Sequence, residues 1–393
     1  MVFDLADERQ ELFNQIAAGV SAGKVVFLYG MGNGADKLLN RCNQLQIPIQ
    51  GVFASNEFAR GQTYRGYRVQ SYDWTLAQWG SPMERKRAII LVAFGSEDPA
   101  VLERLAELEE SFDLYVPDLA LFGQNRAILS FGRRRIEETG LLFEEESRQR
   151  FADLINYKIT GRLPYLRRAW GRKAELYNAL DLGGPATEYY VDAGAYDGDT
   201  VEEVRQYILS RDLREKPENL EESRPAPLPW GSIRPDPLRR LKVLAIEPDP
   251  KNRRKLEAYK RKVWDQSGKP EDLTILPCAL SDKAETLSFD NAAGRNSALS
   301  KNGRLPVEAR PLDELTERAT LVKMDVEGAE EPALLGAARL LARQKPRLII
   351  SAYHRSGDLL TLPELVRRLN PDYRLALRQS PYVPAWDTNI IAW

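Results

Sequence analysis

The chain has 393 residues, of which 43% are apolar and 29% are charged. This composition is typical of a globular protein, and the length exceeds what one hydrophobic core usually organises, so two domains and a connector are expected. The 56 basic and 57 acidic side chains leave a formal net charge of -1. This balance argues against a dedicated nucleic-acid binder, because such proteins carry a basic excess.

Signals for secretion and for membrane insertion are missing from the sequence. The stretch Met1–Glu8 has neither the basic nor the apolar region of a signal peptide, and no apolar run is long enough to span a bilayer. Cys42 and Cys278 lie far apart, so no disulfide framework is expected. We therefore expect a cytoplasmic protein without a membrane span.

The first part of the chain alternates strand and helix patterns. Strands are predicted at residues 25–29, 47–54 and 88–94, and helices at residues 35–44 and 99–110. This alternation predicts a small doubly wound, Rossmann-like domain over residues 1–120.

A glycine motif, Gly30-Met31-Gly32-Asn33-Gly34-Ala35, stands between the first strand and the first helix. Gly30, Gly32 and Gly34 in this context predict a loop for a nucleotide or a sugar nucleotide. The second predicted strand ends without an acid, and Glu57 lies past the usual ribose-binding position, which disfavours an NAD site. The alternative is a module that has lost its ligand and serves packing.

A helical connector is predicted over residues 121–185. Within it, Glu144–Ile159 carries apolar residues at helical spacing with charged residues between them.

The second half of the chain alternates again. Strands are predicted at residues 189–193, 242–246, 273–277, 321–324, 347–351, 373–377 and 389–393. Residues 214–240 interrupt the pattern with six prolines and are predicted to form a surface insertion or a lid.

The sequence Tyr189–Thr200 reads as a strand, a turn of small residues and a helix start. Its Asp192, Ala193, Gly194, Tyr196 and Gly198 predict a loop that approaches a ligand closely.

Acids follow the next two predicted strands of this half of the chain. Glu247 ends the second strand, where an acid binds ribose hydroxyls, and Asp282 follows the third, where a carboxylate could reach an adenine amino group. The glycine loop, Glu247 and Asp282 are therefore predicted at the carboxyl edge of one sheet.

At these residues the chain resembles the FkbM family of S-adenosylmethionine-dependent methyltransferases. The resemblance covers residues 189–393, and it rests on the loop at 192–198, Ile246-Glu247-Pro248, Leu280-Ser281-Asp282 and the run Val322–Glu330. It implies a methyltransferase domain at 186–393 with a seven-stranded Rossmann-like sheet. It also implies S-adenosylmethionine contacts at Asp192, Gly194, Glu247 and Asp282, and O-methylation of a sugar, a polyketide-like molecule or another small hydroxylated acceptor.

Catalytic candidates follow the fourth and fifth predicted strands. Lys323, Asp325 and Glu327 surround the fourth strand tip, and Asp325 is also expected to contact the cofactor. His354, the only histidine, is expected at the same edge as a general base. An alternative is that Asp325, Glu327 and His354 bind a divalent metal, although their spacing does not specify one. Glu330 has a structural alternative, in the first turn of a helix.

The acceptor pocket is expected to be built from variable loops, such as residues 214–240 and 283–311, and Asn296 and Ser297 are candidates to border it. Two other functions stay open at this point. One is an NAD(P)-binding oxidoreductase acting through the N-terminal domain, and the other is a non-catalytic nucleotide-binding scaffold. The sequence also leaves a homo-oligomer open.

Overall fold

The computed structural model describes residues 3–182, 186–214, 241–266, 272–290, 298–299 and 305–393. By density of contacts, the chain divides into two compact units. The first comprises Met1–Arg172, Ala352–Leu360 and Ala376–Asn389, and the second comprises Lys173–Ser351, Thr361–Leu375 and Ile390–Trp393. The predicted domain boundaries at residues 120 and 186 stay predictions.

The first 172 residues form a sheet with helices between its strands. The strands are β1 (Val25–Tyr29), β2 (Ile49–Ala54), β3 (Thr63–Tyr64), β4 (Tyr67–Ser71), β5 (Ala88–Val92) and β6 (Asp113–Tyr115). The helices are α1 (Leu12–Ser21), α2 (Asn33–Gln44), α3 (Tyr72–Ala77), α4 (Pro82–Arg85), α5 (Pro99–Ser111), α6 (Arg133–Gly140), α7 (Glu145–Thr160) and α8 (Leu163–Ala169), with short 3-10 helices at Glu8–Gln10 and Ile128–Phe131.

The strand order in this sheet is β3-β4-β2-β1-β5-β6. All neighbours pair in parallel except β3 and β4, so the carboxyl ends of the parallel strands meet at one edge. Every residue of β5 is buried, which explains its continuous apolar sequence. The predicted α/β pattern is confirmed here, whereas β3, β4 and β6 carry too little periodicity to be found from the sequence.

The predicted amphipathic helix of the connector is present as α7. It is buried over more of its circumference than an amphipathic stripe requires, since Asp153 and Asn156 are buried together with its apolar residues. It ends at Gly161, whose φ of 66° provides a left-handed cap. By contacts, α7 belongs to the first compact unit.

The rest of the chain builds two further sheets. The strands are β7 (Glu188–Ala193), β8 (Leu241–Ile246), β9 (Leu273–Leu276), β10 (Ala279–Leu280), β11 (Glu285–Asp290), β12 (Ala298–Leu299), β13 (Leu305–Arg310), β14 (Leu321–Met324), β15 (Arg347–Ser351), β16 (Leu375–Gln379) and β17 (Thr388–Ala392). The helices are α9 (Ala174–Ala179), α10 (Asp199–Arg214), α11 (Pro250–Lys260), α12 (Leu312–Leu315), α13 (Glu330–Leu335), α14 (Ala338–Gln344) and α15 (Asp358–Leu369), with a π-helical turn at Arg261–Asp265.

The main sheet has seven strands in the order β16-β17-β15-β14-β7-β8-β9. Its centre is parallel, because β7 pairs in parallel with both β8 and β14, and β14 does so with β15. This sheet confirms the predicted seven-stranded α/β architecture.

A smaller sheet has the order β10-β13-β11-β12. It corrects the prediction that residues 283–311 form a loop, because β11 and β13 pair antiparallel from Glu285 opposite Ala309 to Phe289 opposite Leu305. β11 and β13 have six residues each, and neither segment shows in its own sequence which strand it pairs with, so the local pattern does not reveal the pairing.

Two predicted features lie outside the described residues. They are the proline-rich insertion, from residue 215 to residue 240, and the pair Asn296 and Ser297. Among the helices that the structure describes, none combines the length and the apolar character needed to cross a membrane.

Candidate functional site

Three neighbouring strands of the main sheet end side by side. Ala193 at the end of β7 is in register with Ile246 of β8 and with Met324 of β14. The segments that follow these strands therefore begin next to each other at the carboxyl edge, where open α/β sheets bind ligands.

The glycine loop after β7 is held tightly against both neighbours. The N–H groups of Gly194 and Ala195 both donate to the carbonyl oxygen of Ile246, at 3.0 and 3.1 Å. Gly194 has a φ of 81°, and a Cβ there would lie 1.9 Å from the carbonyl oxygen of Asp325. Because both the conformation and the space exclude a side chain, the sequence needs glycine at this position.

Glu247, the first residue after β8, accepts hydrogen bonds from the backbone of the glycine loop and from the backbone of its own segment. One carboxylate oxygen accepts the N–H of Tyr196 and the other accepts the N–H of Asp249, each at 2.8 Å. The residue is 5% exposed. Burial raises the pKa of Glu247 to about 7, although these two hydrogen bonds act in the opposite direction.

A buried ion pair lies beneath the glycine loop. Asp192 is completely buried; one of its oxygens accepts a 2.5 Å hydrogen bond from the Thr200 hydroxyl, and the other lies 3.3 Å from Nζ of Lys323. Lys323 also donates to the carbonyl oxygen of Gly194 at 3.0 Å. Burial acts to lower the pKa of Lys323, but the charges of Asp192 and Asp325 raise it above its usual value, so this lysine stays protonated.

Thr200 is a residue of this site that the sequence pattern alone did not single out. It lies in the first turn of α10, and the only sequence signal for it is a hydroxyl residue where a helix starts after a glycine loop. Its bond to Asp192 connects the helix start to the tip of β7.

Acidic side chains fill the segment after β14. Asp325 is partly exposed, and its carboxylate lies 3.9 Å from Nζ of Lys323 and within 4.8 Å of the Glu330 carboxylate. Glu327 has a φ of 56°, a left-handed conformation that is uncommon outside glycine and asparagine. Glu330 is buried at the first position of α13 and accepts the N–H groups of Val326 and Gly328 at 2.9 and 3.4 Å. These contacts agree with the alternative that Glu330 has a structural role in the first turn of a helix.

Tyr196 is the exposed member of the glycine loop, with 36% of its surface accessible. Its φ is 48°, and its hydroxyl group accepts a hydrogen bond from Nζ of Lys255 at 3.2 Å. The same ammonium group lies 4.6 Å from the centre of the ring. Lys255, on α11, therefore holds an aromatic surface at the rim of the site, and its role could not be read from the sequence spacing.

Asp282 does not follow the third strand of the main sheet as predicted. That strand, β9, ends at Leu276, and Asp282 comes after β10, which pairs with β13 in the smaller sheet. Its side chain is exposed and accepts a 3.2 Å hydrogen bond from the Ser281 hydroxyl. The chain leaves the main sheet at Leu276, one residue before the predicted end of this strand, and β10 of the smaller sheet comes between β9 and Asp282. The contact of Asp282 with the cofactor stays a prediction.

His354 belongs by contacts to the first compact unit and is 1% exposed. Its carbonyl oxygen accepts the N–H of Phe122 at 3.0 Å, and its ring centre lies 5.7 Å from that of Phe122. It comes three residues after the end of β15. Its role as a base stays a prediction, as does the alternative metal site.

The N-terminal glycine motif lies between β1 and α2, as the pattern requires. Gly30 and Gly32 have φ values of 114° and 96°, and a Cβ on Gly34 would lie 2.2 Å from the carbonyl oxygen of Ala93. Gly34 thus allows the helix to pack closely against the chain after β5. Glu57 is exposed. A nucleotide ligand for this loop stays a prediction.

Comparison with known proteins bears on the second half of the chain most directly. Residues 228–375 match a family model described as the Methyltransferase FkbM domain. The comparison with curated proteins found no match.

Similarity to a solved structure extends over the whole chain. Methyltransferase FkbM from Methylobacillus flagellatus KT superposes with a TM-score of 0.66 at 19% identity, covering 100% of this chain and 95% of that one. A precorrin-6y C5,15-methyltransferase from Geobacter metallireducens GS-15 gives a TM-score of 0.32 at 12% identity, over 57% of this chain and 93% of that one, which is too low to indicate a shared fold. The first likeness shows a common fold along the whole chain, and the family model shows that the chain carries an FkbM methyltransferase domain at residues 228–375.

Proposed function

We propose that this methyltransferase moves a methyl group from S-adenosylmethionine to a hydroxyl oxygen of a sugar, a glycan precursor or another small metabolite. The observation that carries the cofactor assignment is Glu247, a buried carboxylate beside a glycine loop at the carboxyl edge of a parallel sheet. The hydroxyl acceptor follows from the resemblance to the FkbM family.

The carboxylate of Glu247 has acceptor positions left that suit the hydroxyl groups of a ribose. Each of its oxygens accepts one backbone N–H and retains a second acceptor position, so the pair can also receive two vicinal hydroxyl groups. Gly194 and Gly198 bring the backbone close without a side chain, and the exposed Tyr196 ring offers a flat surface at the rim. Asp192 is too deeply buried for easy contact with a ligand, so we assign it the role of holding the loop in shape.

The roles that we propose for the residues near β14 follow from the charges of their side chains. S-adenosylmethionine, when bound, supplies a methyl group on a positively charged sulfur, and the acceptor hydroxyl must lose a proton as its oxygen bonds to that carbon. Lys323 stays protonated and cannot take this proton, so it acts by fixing Asp192 and the Gly194 carbonyl. Asp325 and Glu327 are the nearby carboxylates proposed to bind the cofactor or to orient the acceptor.

His354 is the proposed base. It follows the last residue of β15 by three positions, so chain connectivity alone keeps it within about 11 Å of that strand end. Because β15 is the parallel neighbour of β14, this strand end lies beside the segment that begins with Asp325. An imidazole takes up a proton near neutral pH, which suits the removal of a hydroxyl proton during transfer.

Calorimetry with S-adenosylhomocysteine tests the cofactor site. We expect the wild type to bind, Glu247→Gln to bind at least about tenfold more weakly through the loss of charge-assisted hydrogen bonds, and the exposed control Glu257→Gln to bind as the wild type does. An absence of binding to the wild type, or equal binding to Glu247→Gln, would contradict the assignment.

Transfer of a labelled methyl group to a panel of sugars, nucleotide sugars and other hydroxylated metabolites tests the reaction. We expect His354→Ala to lose turnover while its affinity for S-adenosylhomocysteine stays within about threefold of the wild type. Full turnover by His354→Ala would move the base elsewhere. Binding of the cofactor without turnover on any acceptor would favour the scaffold alternative.

A further inference from the structure

Arg104 lies at the carboxyl edge of the six-stranded sheet, beside the ends of β1 and β2. Its Nη1 group donates to the Ser55 hydroxyl at 2.9 Å and to the Tyr29 hydroxyl at 3.3 Å, and these two hydroxyl oxygens lie 2.8 Å apart. Tyr29 is the last residue of β1, and Ser55 directly follows β2. The guanidinium group is therefore placed between two neighbouring strand tips.

The hydrogen-bond partners of this guanidinium are neutral. In the part of the chain that the structure describes, no carboxylate forms an ion pair with Arg104, and its Nε and Nη2 groups donate to no protein atom. Arg162, elsewhere in the same unit, pairs by contrast with Asp113 at 2.6 Å. Arg104 therefore keeps a full positive charge and several donors for an anion.

Aromatic rings hold the guanidinium group in position. Its Cζ atom lies 5.2 Å from the ring centre of Tyr72, and the Tyr29 ring stacks on Phe53 with centres 4.6 Å apart and planes 4° apart. A guanidinium fixed in this way loses little freedom on binding, and its planar donors match the oxygens of a phosphate.

The chemistry at the tip of β2 identifies the class of ligand. In dinucleotide-binding sheets this position carries an acid when a free ribose is bound, whereas an arginine nearby accommodates a phosphate on the ribose. Here Ser55 and Arg104 occupy the position. Glu57, the acid nearest to Ser55 in the sequence, is exposed, and its charge acts on Arg104 without forming an ion pair with it. The glycine loop at residues 30–34 begins directly after Tyr29 and so lies beside this cluster.

We propose that the first compact unit binds a phosphorylated nucleotide, and that Arg104 and Ser55 hold one of its phosphate groups. This site uses residues separate from those assigned to methyl transfer, so it stands or falls independently of that reaction.

Calorimetry on the full chain with NADPH, NADH and UDP-glucose tests the proposal. We expect NADPH to bind and NADH to bind at least about tenfold more weakly, because NADH lacks the 2′-phosphate. Arg104→Met should weaken NADPH binding by a similar factor. Arg87→Met, an exposed arginine directly before β5 at the opposite edge of the sheet, should leave it unchanged. If UDP-glucose binds instead and depends on Arg104 in the same way, the phosphate belongs to a diphosphate.

A second variant keeps the test decisive if Arg104→Met does not fold. Ser55→Asp places a carboxylate next to the guanidinium, so it should repel the 2′-phosphate and shift the preference from NADPH towards NADH. Binding of none of the three nucleotides at millimolar concentration would overturn the proposal. Nucleotide binding that neither Arg104→Met nor Ser55→Asp alters would also overturn it.

Discussion

The carboxyl group of Glu247 titrates near neutral pH because it is buried. Its pKa of about 7 lies above that of an ordinary glutamate, so the folded protein binds this proton more tightly than the unfolded chain does. The resulting destabilisation of the folded state is absent at pH 4, grows between about pH 4.5 and 7, and is complete above pH 7. The charged form that accepts ribose hydroxyls thus prevails only above this range.

We therefore expect the affinity for S-adenosylhomocysteine to fall as the pH is lowered from 8 to 6. If only the charged carboxylate binds, the apparent Kd should rise about tenfold over this interval, since about a tenth of Glu247 is ionised at pH 6. Calorimetry at several pH values measures this change, and Glu247→Gln should show a flat profile. A wild-type profile as flat as that of the variant would contradict the role of Glu247.

Lys323 and Asp192 form an ion pair in which both partners are buried. Removing one partner leaves an uncompensated charge, so Lys323→Met should lower the free energy of unfolding by about 3–5 kcal/mol. Lys262→Met, which changes an exposed lysine, should cost no more than about 0.5 kcal/mol. Denaturant unfolding measures both values.

The double variant Lys323→Met with Asp192→Asn separates this cause from a simple loss of packing. It removes the buried charge together with its partner, and we expect it to recover part of the lost stability. If the double variant is as unstable as the sum of its single variants, the two residues do not interact energetically.

At the scale of elements, close packing decides where the smaller sheet lies in the second unit. Gly336 separates α13 from α14, and a Cβ there would lie 2.1 Å from the carbonyl oxygen of Ser281, which follows β10. The Gly336 carbonyl also accepts the N–H of Asp313 at 2.9 Å. This glycine permits the connection between two helices to touch the end of a strand.

Gly336→Ala should therefore lower the free energy of unfolding by about 1–3 kcal/mol through overpacking. Gly80→Ala is the matched control, since a Cβ there would meet only the flexible carboxylate of Glu84, at 3.1 Å. Chemical denaturation of both variants measures the difference. Equal stability of the two would show that the chain after β10 moves aside without cost.

The bounds of some strands could be predicted from the sequence, whereas those of others could not. β1, β14 and β15 have the predicted bounds, because a buried parallel strand is a continuous apolar run between breakers. β16 begins two residues later than predicted, and the smaller sheet was missed. The antiparallel strands β11 and β13 owe their stability to each other, and that pairing is not encoded in either segment alone.

At the scale of the whole molecule, the first compact unit includes a late part of the chain. The N–H of Leu377 and the guanidinium of Arg378 both donate to the buried Ser147 hydroxyl at 3.0 Å, and Arg150 donates to the Leu377 carbonyl at 2.8 Å. Ser96 and Val383 exchange two backbone hydrogen bonds. Residues 376–389 thus supply hydrogen-bond partners for polar groups of α7, which would otherwise lack these bonds.

A fragment of residues 1–172 should consequently be less stable than the same residues in the full chain. Hydrogen exchange measures this, and we expect the amides of β1 and β5 to exchange at least about tenfold faster in the fragment, which corresponds to about 1.4 kcal/mol. Equal protection in both would show that the first 172 residues fold without residues 352–360 and 376–389.

The amino-acid sequence by itself determined the α/β class, the central strands, both glycine loops and the acid after β8. Each of these features depends on residues that lie within one turn or one strand of each other, so a short stretch of sequence is enough to predict it. Tertiary structure decided the rest. Glu247 binds the N–H of a residue 51 positions earlier, and Lys323 meets an aspartate 131 positions away. Only folding brings such groups together. The burial that raises the pKa of Glu247, and the charges of Asp192 and Asp325 that raise the pKa of Lys323, exist only once the strands have paired and water has been excluded.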